Sequence, residues 1–284
     1  MQTSLTSEFI VAYFRGMQRG RPIGIFDSGI GGLTVFKAIK ERLPNQRIVY
    51  LGDTARLPYG NKSPATIIRY SKENATFLKE KGVGLVVVAC NTSSAYAIEE
   101  LGSFLDIPVV GVIEPGVRAA ISATRNGKIG VIGTRATVAS DVYAKRIRGF
   151  AASLYVTSVP CPLFVPLVEE GWIEGEVPLS IARSYLGKIK DEGVDTLILG
   201  CTHYPLLKKV ISEVMGDGVT LVDSGEALAD SLTSLLSQGK ALDRSFECSE
   251  VDGDIIYLTD YSEAFEATAR RFLGSVALPP IKQI

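Results

Sequence analysis

The sequence is poor in the features that mark several large classes of protein. Among 284 residues there is a single histidine, and there are four cysteines, Cys90, Cys161, Cys201 and Cys248. Four scattered cysteines make no disulfide framework for a chain of this size, and none belongs to a C-x-x-C pair, the spacing that marks zinc and redox sites most strongly. Neither sign of charge is in excess: 30 Lys and Arg face 31 Asp and Glu, for a net charge of -1. A generic polyanion binder needs surplus cations, so contact with nucleic acid is not indicated. No run approaches the roughly 18 apolar residues that cross a bilayer; stretches such as Leu85 to Cys90 have only strand length. Residues 1–21 lack a basic start and a small-residue cleavage site, so a secretory leader is not expected and they read as an N-terminal extension. Free thiols in a reducing, cytoplasmic setting are the expectation. The Walker, dinucleotide and G-x-S-x-G patterns are missing too.

What is present is globular. Hydrophobic residues make up 46% of the chain and charged residues 21%, which excludes a mostly disordered polymer. From residue 22 onward short β-branched runs alternate with stretches of helical period. Strands are expected at 23–26, 48–52, 85–89, 109–113, 128–132, 154–158, 196–199 and 220–222. Helices are expected between them at 33–43, 64–81, 94–105, 115–124, 138–149, 178–192 and 205–215, with helix 226–238, strand 255–259 and helix 262–273 as a tail. Continuous apolar strands are buried on both faces, as in parallel α/β sheets. In such sheets ligands sit beyond the carboxyl ends of the strands.

Those ends repeat. PIGIFDSG (22–29) resembles KIGVIGTR (128–135), VVVACNTSSA (86–95) resembles LILGCTHYPL (197–206), and VVGVIEPG (109–116) resembles VTLVDSGE (219–226). Three ordered matches imply two related halves whose loops face a common cleft. The fold class expected is therefore α/β with two pseudo-symmetric domains, each a mostly parallel sheet with helices on both faces and the active site in the cleft between them. The first domain would comprise 22–113 and 224–284, the second 114–223.

Cys90 and Cys201 then occupy equivalent places, each followed by residues suited to capping a helix, Asn91-Thr92 and Thr202-His203. A helix N-terminus favours the thiolate, so both thiols are expected to have lowered pKa values. His203, two residues from Cys201, could exchange a proton with a thiol or hold a substrate carboxylate. A zinc site from Cys90, Cys201 and His203 lacks the strong spacing, and a cysteine-protease dyad lacks its context. Asp27 or Ser28 in DSGIGG could bind an ammonium group, act as acid or base, or merely cap the next helix. The Pro58-Tyr59-Gly60 turn could offer backbone N–H groups to a carboxylate or be an ordinary turn. Two thiols on opposite walls suit proton removal from a carbon beside a carboxylate with return on the other face.

FDSGIGGLTV, GDTARLPYG, VACNTSSA, GVIEPG, GCTHYPLL and LVDSGEA, in this order, resemble the motifs of the glutamate racemases, cofactor-independent enzymes of the aspartate/glutamate racemase superfamily. The resemblance spans roughly residues 22 to 273. It implies interconversion of L- and D-glutamate for bacterial peptidoglycan, with no cofactor and no metal. By position it makes Cys90 the acid/base for D-glutamate and Cys201 that for L-glutamate, with Asp27 and His203 assisting their thiols. Glu170 in PLVEEGW would be a further acidic helper, with Glu169 beside it. Substrate contacts would fall to Asp27, Ser28, Pro58, Tyr59, Gly60, Cys90, Asn91, Thr92, Cys201, Thr202 and His203. The resemblance further implies a homodimer and, in some members, an activator, UDP-MurNAc-L-Ala; the gyrase inhibition known for some members has no counterpart in this neutral composition. An aspartate or hydantoin racemase and a silent small-acid binding protein are the competing readings.

Overall fold

The structure is a computed structural model that describes residues 21–238 and 253–284. Residues 1–20 of the expected extension, and Cys248, lie outside the described residues. Strands β1 (Ile23–Asp27), β2 (Ile48–Gly52), β3 (Leu85–Val88) and β4 (Val109–Gly111) alternate with helices α1 (Leu33–Arg42), α2 (Pro64–Glu80) and α3 (Asn91–Phe104). After α4 (Ile113–Ala123) come β5 (Lys128–Gly133), α5 (Arg135–Ala139), α6 (Val142–Phe150), β6 (Tyr155–Pro160), α7 (Phe164–Glu169), α8 (Glu176–Asp191), β7 (Thr196–Gly200), α9 (Lys208–Met215) and β8 (Thr220–Asp223). The chain closes with α10 (Ser224–Gln238), β9 (Ile255–Leu258), α11 (Glu263–Leu273) and β10 (Ile281–Gln283). No helix among the described residues is long and apolar enough to cross a membrane.

Two sheets result, a six-stranded one in the order β10-β9-β2-β1-β3-β4 and a four-stranded one in the order β6-β5-β7-β8, with every pairing parallel. The order β2-β1-β3-β4 recurs as β6-β5-β7-β8. The strands matched in sequence, β1 with β5, β3 with β7 and β4 with β8, thus hold the same place in each sheet. The tail adds β9 and β10 to the outer edge of the first sheet.

Central strands are buried throughout, and their period of two sorts side chains between two cores. Ile23, Ile25, Leu85 and Val87 join a large cluster that also takes in Leu33 and Phe36 of α1, Leu197 and Leu199 of β7 and Leu228 of α10, so one apolar core ties the two sheets together. Phe26, Val86 and Val88 turn the other way onto α2 and α3, through Ala75, Leu78, Ala97 and Leu101. Ile129, Val131 and Ile198 do the same for the second sheet with Val117, Ala120 and Ile147. Each fully buried Val, Leu or Ile contributes about 1.5–3 kcal/mol of transfer free energy, enough for these strands to fix the layers.

Four elements depart from expectation. The helix expected at 138–149 is broken into α5 and α6 because Asp141 adopts a left-handed φ of 56° and Ser140 Oγ donates to the Thr137 carbonyl at 2.6 Å. The strand at 109–113 stops at Gly111, and α4 starts at Ile113, with Pro115 inside its first turn where no backbone N–H is missed. Helix α7 and strand β10 were not expected; both are short, and β10 is an exposed edge rich in polar residues.

Candidate active site

The carboxyl ends of β1, β2 and β3 lie side by side, Asp27 opposite Gly52 and Phe26 opposite Val88. Asp27 is fully buried, and its Oδ2 accepts the Gly29 N–H at 3.0 Å. Burial pushes its carboxyl pKa up, against the pull of His203 and of the backbone N–H groups of the DSGIGG loop. Tyr50 of β2 anchors that loop, its hydroxyl donating to the Gly29 carbonyl at 2.7 Å. A Cβ at Gly32 would stand 2.5 Å from Asp27 Cβ and 2.9 Å from the Tyr50 hydroxyl, so only glycine fits.

Cys90 follows β3 and is the N-cap of α3, its Sγ accepting the Ser93 N–H at 3.5 Å. Its thiol donates to Ser28 Oγ at 3.8 Å. Cys201 follows β7 but caps no α-helix: Thr202 and His203 form a turn, a 3-10 turn spans Tyr204–Leu207, and α9 starts only at Lys208. Its Sγ lies 3.9 Å from His203 Nδ1. The far side of the imidazole, Nε2, meets Glu169 Oε1 at 2.9 Å.

The two strand-end loops touch. Thr202 Oγ1 donates to Asp27 Oδ1 at 3.5 Å, and Thr34 Oγ1 lies 3.0 Å from the carbonyl oxygens of both Gly31 and Thr202. A Cβ at Gly31 would fall 2.3 Å from Thr202 Oγ1 and 2.5 Å from the His203 ring. Asp27, Ser28 and Cys90 from one sheet thus converge with Cys201, Thr202 and His203 from the other.

The expected lowering of the thiol pKa values is corrected by the structure. Cys90 and Cys201 are 5% and 6% exposed, and burial pushes both thiols up. For Cys90 the Asp27 charge adds to burial, and the Ser93 N–H and Ser28 hydroxyl pull the other way without winning. For Cys201 the His203 N–H pulls down, while Cys90, Asp27 and Glu169 push up. Desolvation of an anion outweighs one or two hydrogen bonds at a cap, which the sequence cannot weigh.

Glu170 is the second correction. It closes α7, its N–H donating to the Pro166 carbonyl at 3.0 Å, and the carboxylate that reaches His203 belongs to Glu169. One residue on a helix turns the side chain by about 100°, so adjacent glutamates point to different places.

The remaining expected contacts are occupied within the protein. Tyr59 sends its hydroxyl to the Asp53 carboxylate and accepts from Asn74 Nδ2 at 3.1 Å, while its body packs with Cys90. Gly60 lies against Thr134, 2.9 Å from a Cβ built on it, and Pro58 is exposed. Asn91 accepts the Tyr143 hydroxyl at 2.6 Å and donates to Ser224 Oγ at 3.3 Å. Thr92 Oγ1 sits 2.9 Å from Thr134 Oγ1 and 3.1 Å from Thr137 Oγ1. Reading the sequence missed Tyr50, Thr34, Thr134, Thr137, Tyr143 and Ser224. Of these, Thr134 had a signal, because the repeat aligns it with Ser28. Among the described residues no three His, Cys, Asp or Glu side chains converge as metal ligands.

The profile of the family described as Asp/Glu/Hydantoin racemase matches residues 23–232. A glutamate racemase of Geobacter metallireducens is 51% identical over 89% of this chain and 93% of its own. A crystal structure of glutamate racemase from Francisella tularensis in complex with D-glutamate superposes with a TM-score of 0.84 at 38% identity, covering 93% of this chain and 97% of that one. The Escherichia coli glutamate racemase, solved in complex with L-glutamate and the activator UDP-MurNAc-ala, gives 0.76 at 30% identity over 93% and 98%.

Proposed function

This chain belongs to the Asp/Glu/Hydantoin racemase family, and from that premise we propose that it interconverts L- and D-glutamate by a two-thiol exchange at Cα. The observation that carries the reading is the placement of Cys90 and Cys201 at equivalent strand ends of two sheets whose strand-end loops meet through Asp27, Thr34 and Thr202. Two thiolates in one buried site repel, so the working pair holds one thiolate and one thiol. With L-glutamate, the Cys201 thiolate takes the Cα proton: the C–H bond breaks, an S–H bond forms, and the electron pair passes into the adjacent carboxylate. The Cys90 thiol then gives its proton to the opposite face, which yields D-glutamate and a Cys90 thiolate. D-glutamate runs the same steps in reverse.

Burial makes the resting thiolate unfavourable, and the substrate relieves this. Its α-ammonium brings positive charge beside the sulfur and beside Asp27, and the backbone N–H groups of the two loops offer donors to the developing enediolate. At the second wall, the Glu169 carboxylate at Nε2 orients the His203 ring so that Nδ1 faces the Cys201 thiol. The product D-glutamate serves peptidoglycan synthesis, and the activator bound by the Escherichia coli relative is the compound to assay for stimulation.

Purified protein incubated with L-glutamate in deuterated water tests this. Deuterium should enter Cα as optical rotation decays to zero, with L-aspartate and hydantoins turned over far more slowly. Loss of rotation without deuterium, or neither signal, would sink the reading.

A further inference from the structure

The terminal helix α11 belongs to the first sheet, yet it reaches the second wall of the site. Its Arg271 donates from one Nη1 to the carbonyl oxygens of Val168 at 3.0 Å and Glu169 at 3.1 Å. These are the last residues of α7, a helix of six residues; the Val168 carbonyl also accepts the Gly171 N–H at 3.1 Å, and Arg271 is the donor that reaches the Glu169 carbonyl. The guanidinium lies over the following turn, where Gly171 has a φ of +80° and a Cβ built on it would stand 2.9 Å from the Arg271 Nη2. The next residue, Phe272, is 2% exposed and packs edge-to-face on the His203 ring, centroid to centroid 5.3 Å at 87°. Two consecutive residues of α11 therefore hold the two members of the Glu169–His203 pair, one through the backbone of the helix that carries the carboxylate and one through the imidazole plane.

We propose that Arg271, seconded by Phe272, is a positioning residue that sets the Glu169–His203 pair behind Cys201, so that the carboxyl-terminal helix of one domain completes the proton-transfer machinery of the other. A six-residue helix is marginal alone, and a cation at its end gives the Glu169 carbonyl its donor, adds a second one to the Val168 carbonyl and complements the helix dipole. Without it the last turn frays and the Glu169 carboxylate leaves Nε2. The inference rests on the two-thiol reading above, since the pair matters only if Cys201 transfers a proton.

The test uses the full chain with Arg271→Met, Arg271→Lys, Glu169→Gln, the Arg271→Met/Glu169→Gln double variant and Cys201→Ala. Arg271 is exposed, so Arg271→Met is expected to keep the fold, and a thermal melt checks it. Expected is a fall in kcat for L-glutamate of about tenfold or more in Arg271→Met, with a smaller change in KM, because a small misplacement of a proton-transfer group costs turnover before binding. Arg271→Lys keeps a donor and most of the rate. The acid limb of the kcat profile supplies the readout that a merely structural role leaves in place. Cys201 is faced by Asp27 and Cys90 from the first wall, by His203 and Tyr204 from its own turn, by Tyr143 from α6 and by Glu169 from α7. Removing the Glu169 charge from that set eases proton loss from Cys201, so the limb moves to lower pH in Arg271→Met and in Glu169→Gln. The double variant should be no slower than Glu169→Gln alone. An unshifted limb, or losses that multiply in the double variant, overturns the proposal. Cys201→Ala judges the underlying reading separately: an inactive protein upholds it whatever Arg271 does, and an active one removes it.

Discussion

The two thiols differ in what surrounds them, and the difference has chemical consequences. Cys90 is held by a helix N–H and a serine hydroxyl, Cys201 by an imidazole backed by a carboxylate. On the proposed two-thiol exchange each acts once per turnover, so Cys90→Ala and Cys201→Ala should each lower kcat by about 10²–10⁴-fold or more, measured by polarimetry. Cys161 is equally buried, but the site uses only its carbonyl, which accepts the Tyr204 hydroxyl at 2.8 Å. Cys161→Ala should stay active. A pH prediction follows from burial. The thiolate is the reactive form, and both thiols are pushed above the ordinary value of about 8.5. Alkylation of the substrate-free protein by iodoacetamide should therefore keep accelerating beyond pH 8.5, and D-glutamate should suppress it at the two site cysteines in a peptide map. A plateau below pH 8 would contradict the account of burial.

At the scale of elements, strand ends and loops place the site, and the tightest contact between them can be tested directly. The loop into α1 passes so close to the turn after β7 that Gly31 has no room for a methyl group. Gly31→Ala should force the two loops apart, separating Asp27 from Thr202 and moving His203. We expect kcat/KM to fall by about 10²-fold, the scale for a displacement near 1 Å, with the far-UV circular dichroism unchanged. Near-normal turnover would mean that the loops need no such contact. The same scale explains what the sequence left illegible. Strands β1, β3 and β7 were plain because apolar runs buried on both faces have one reading. Helix α7 was not: six residues with a proline inside carry no period, so neither its existence nor the choice between Glu169 and Glu170 could be read. The α5–α6 break was hidden because the left-handed backbone at Asp141 leaves no mark on hydrophobic spacing.

Over the whole molecule, duplication provides the frame and departures from it provide the chemistry. Asp27 of the first half aligns with Gly133 of the second, and Thr92 with His203, so each half contributes one thiol but a different ionisable helper. Asn91 and Thr92 then cross to the other half, onto Tyr143, Ser224, Thr134 and Thr137, and α10 packs on both α1 and α4. The family resemblance adds a homodimer, which sedimentation equilibrium checks: the expected mass is twice that of the chain, and a monomer at all concentrations would discard the expectation.

The sequence by itself determined the parallel α/β layers, the doubling of the frame and the matched placement of Cys90 and Cys201 after β3 and β7, because these rest on local periodicity and on motifs contiguous in the chain. Tertiary structure decided the rest. Which glutamate meets His203, how far burial outweighs a helix cap at a thiol, and that a helix near the carboxyl terminus supports the second wall all depend on distances between segments far apart in the chain, 34 residues for Glu169 and His203 and 102 for Glu169 and Arg271. Such distances are set by the packing of whole layers, and no window along the chain contains them.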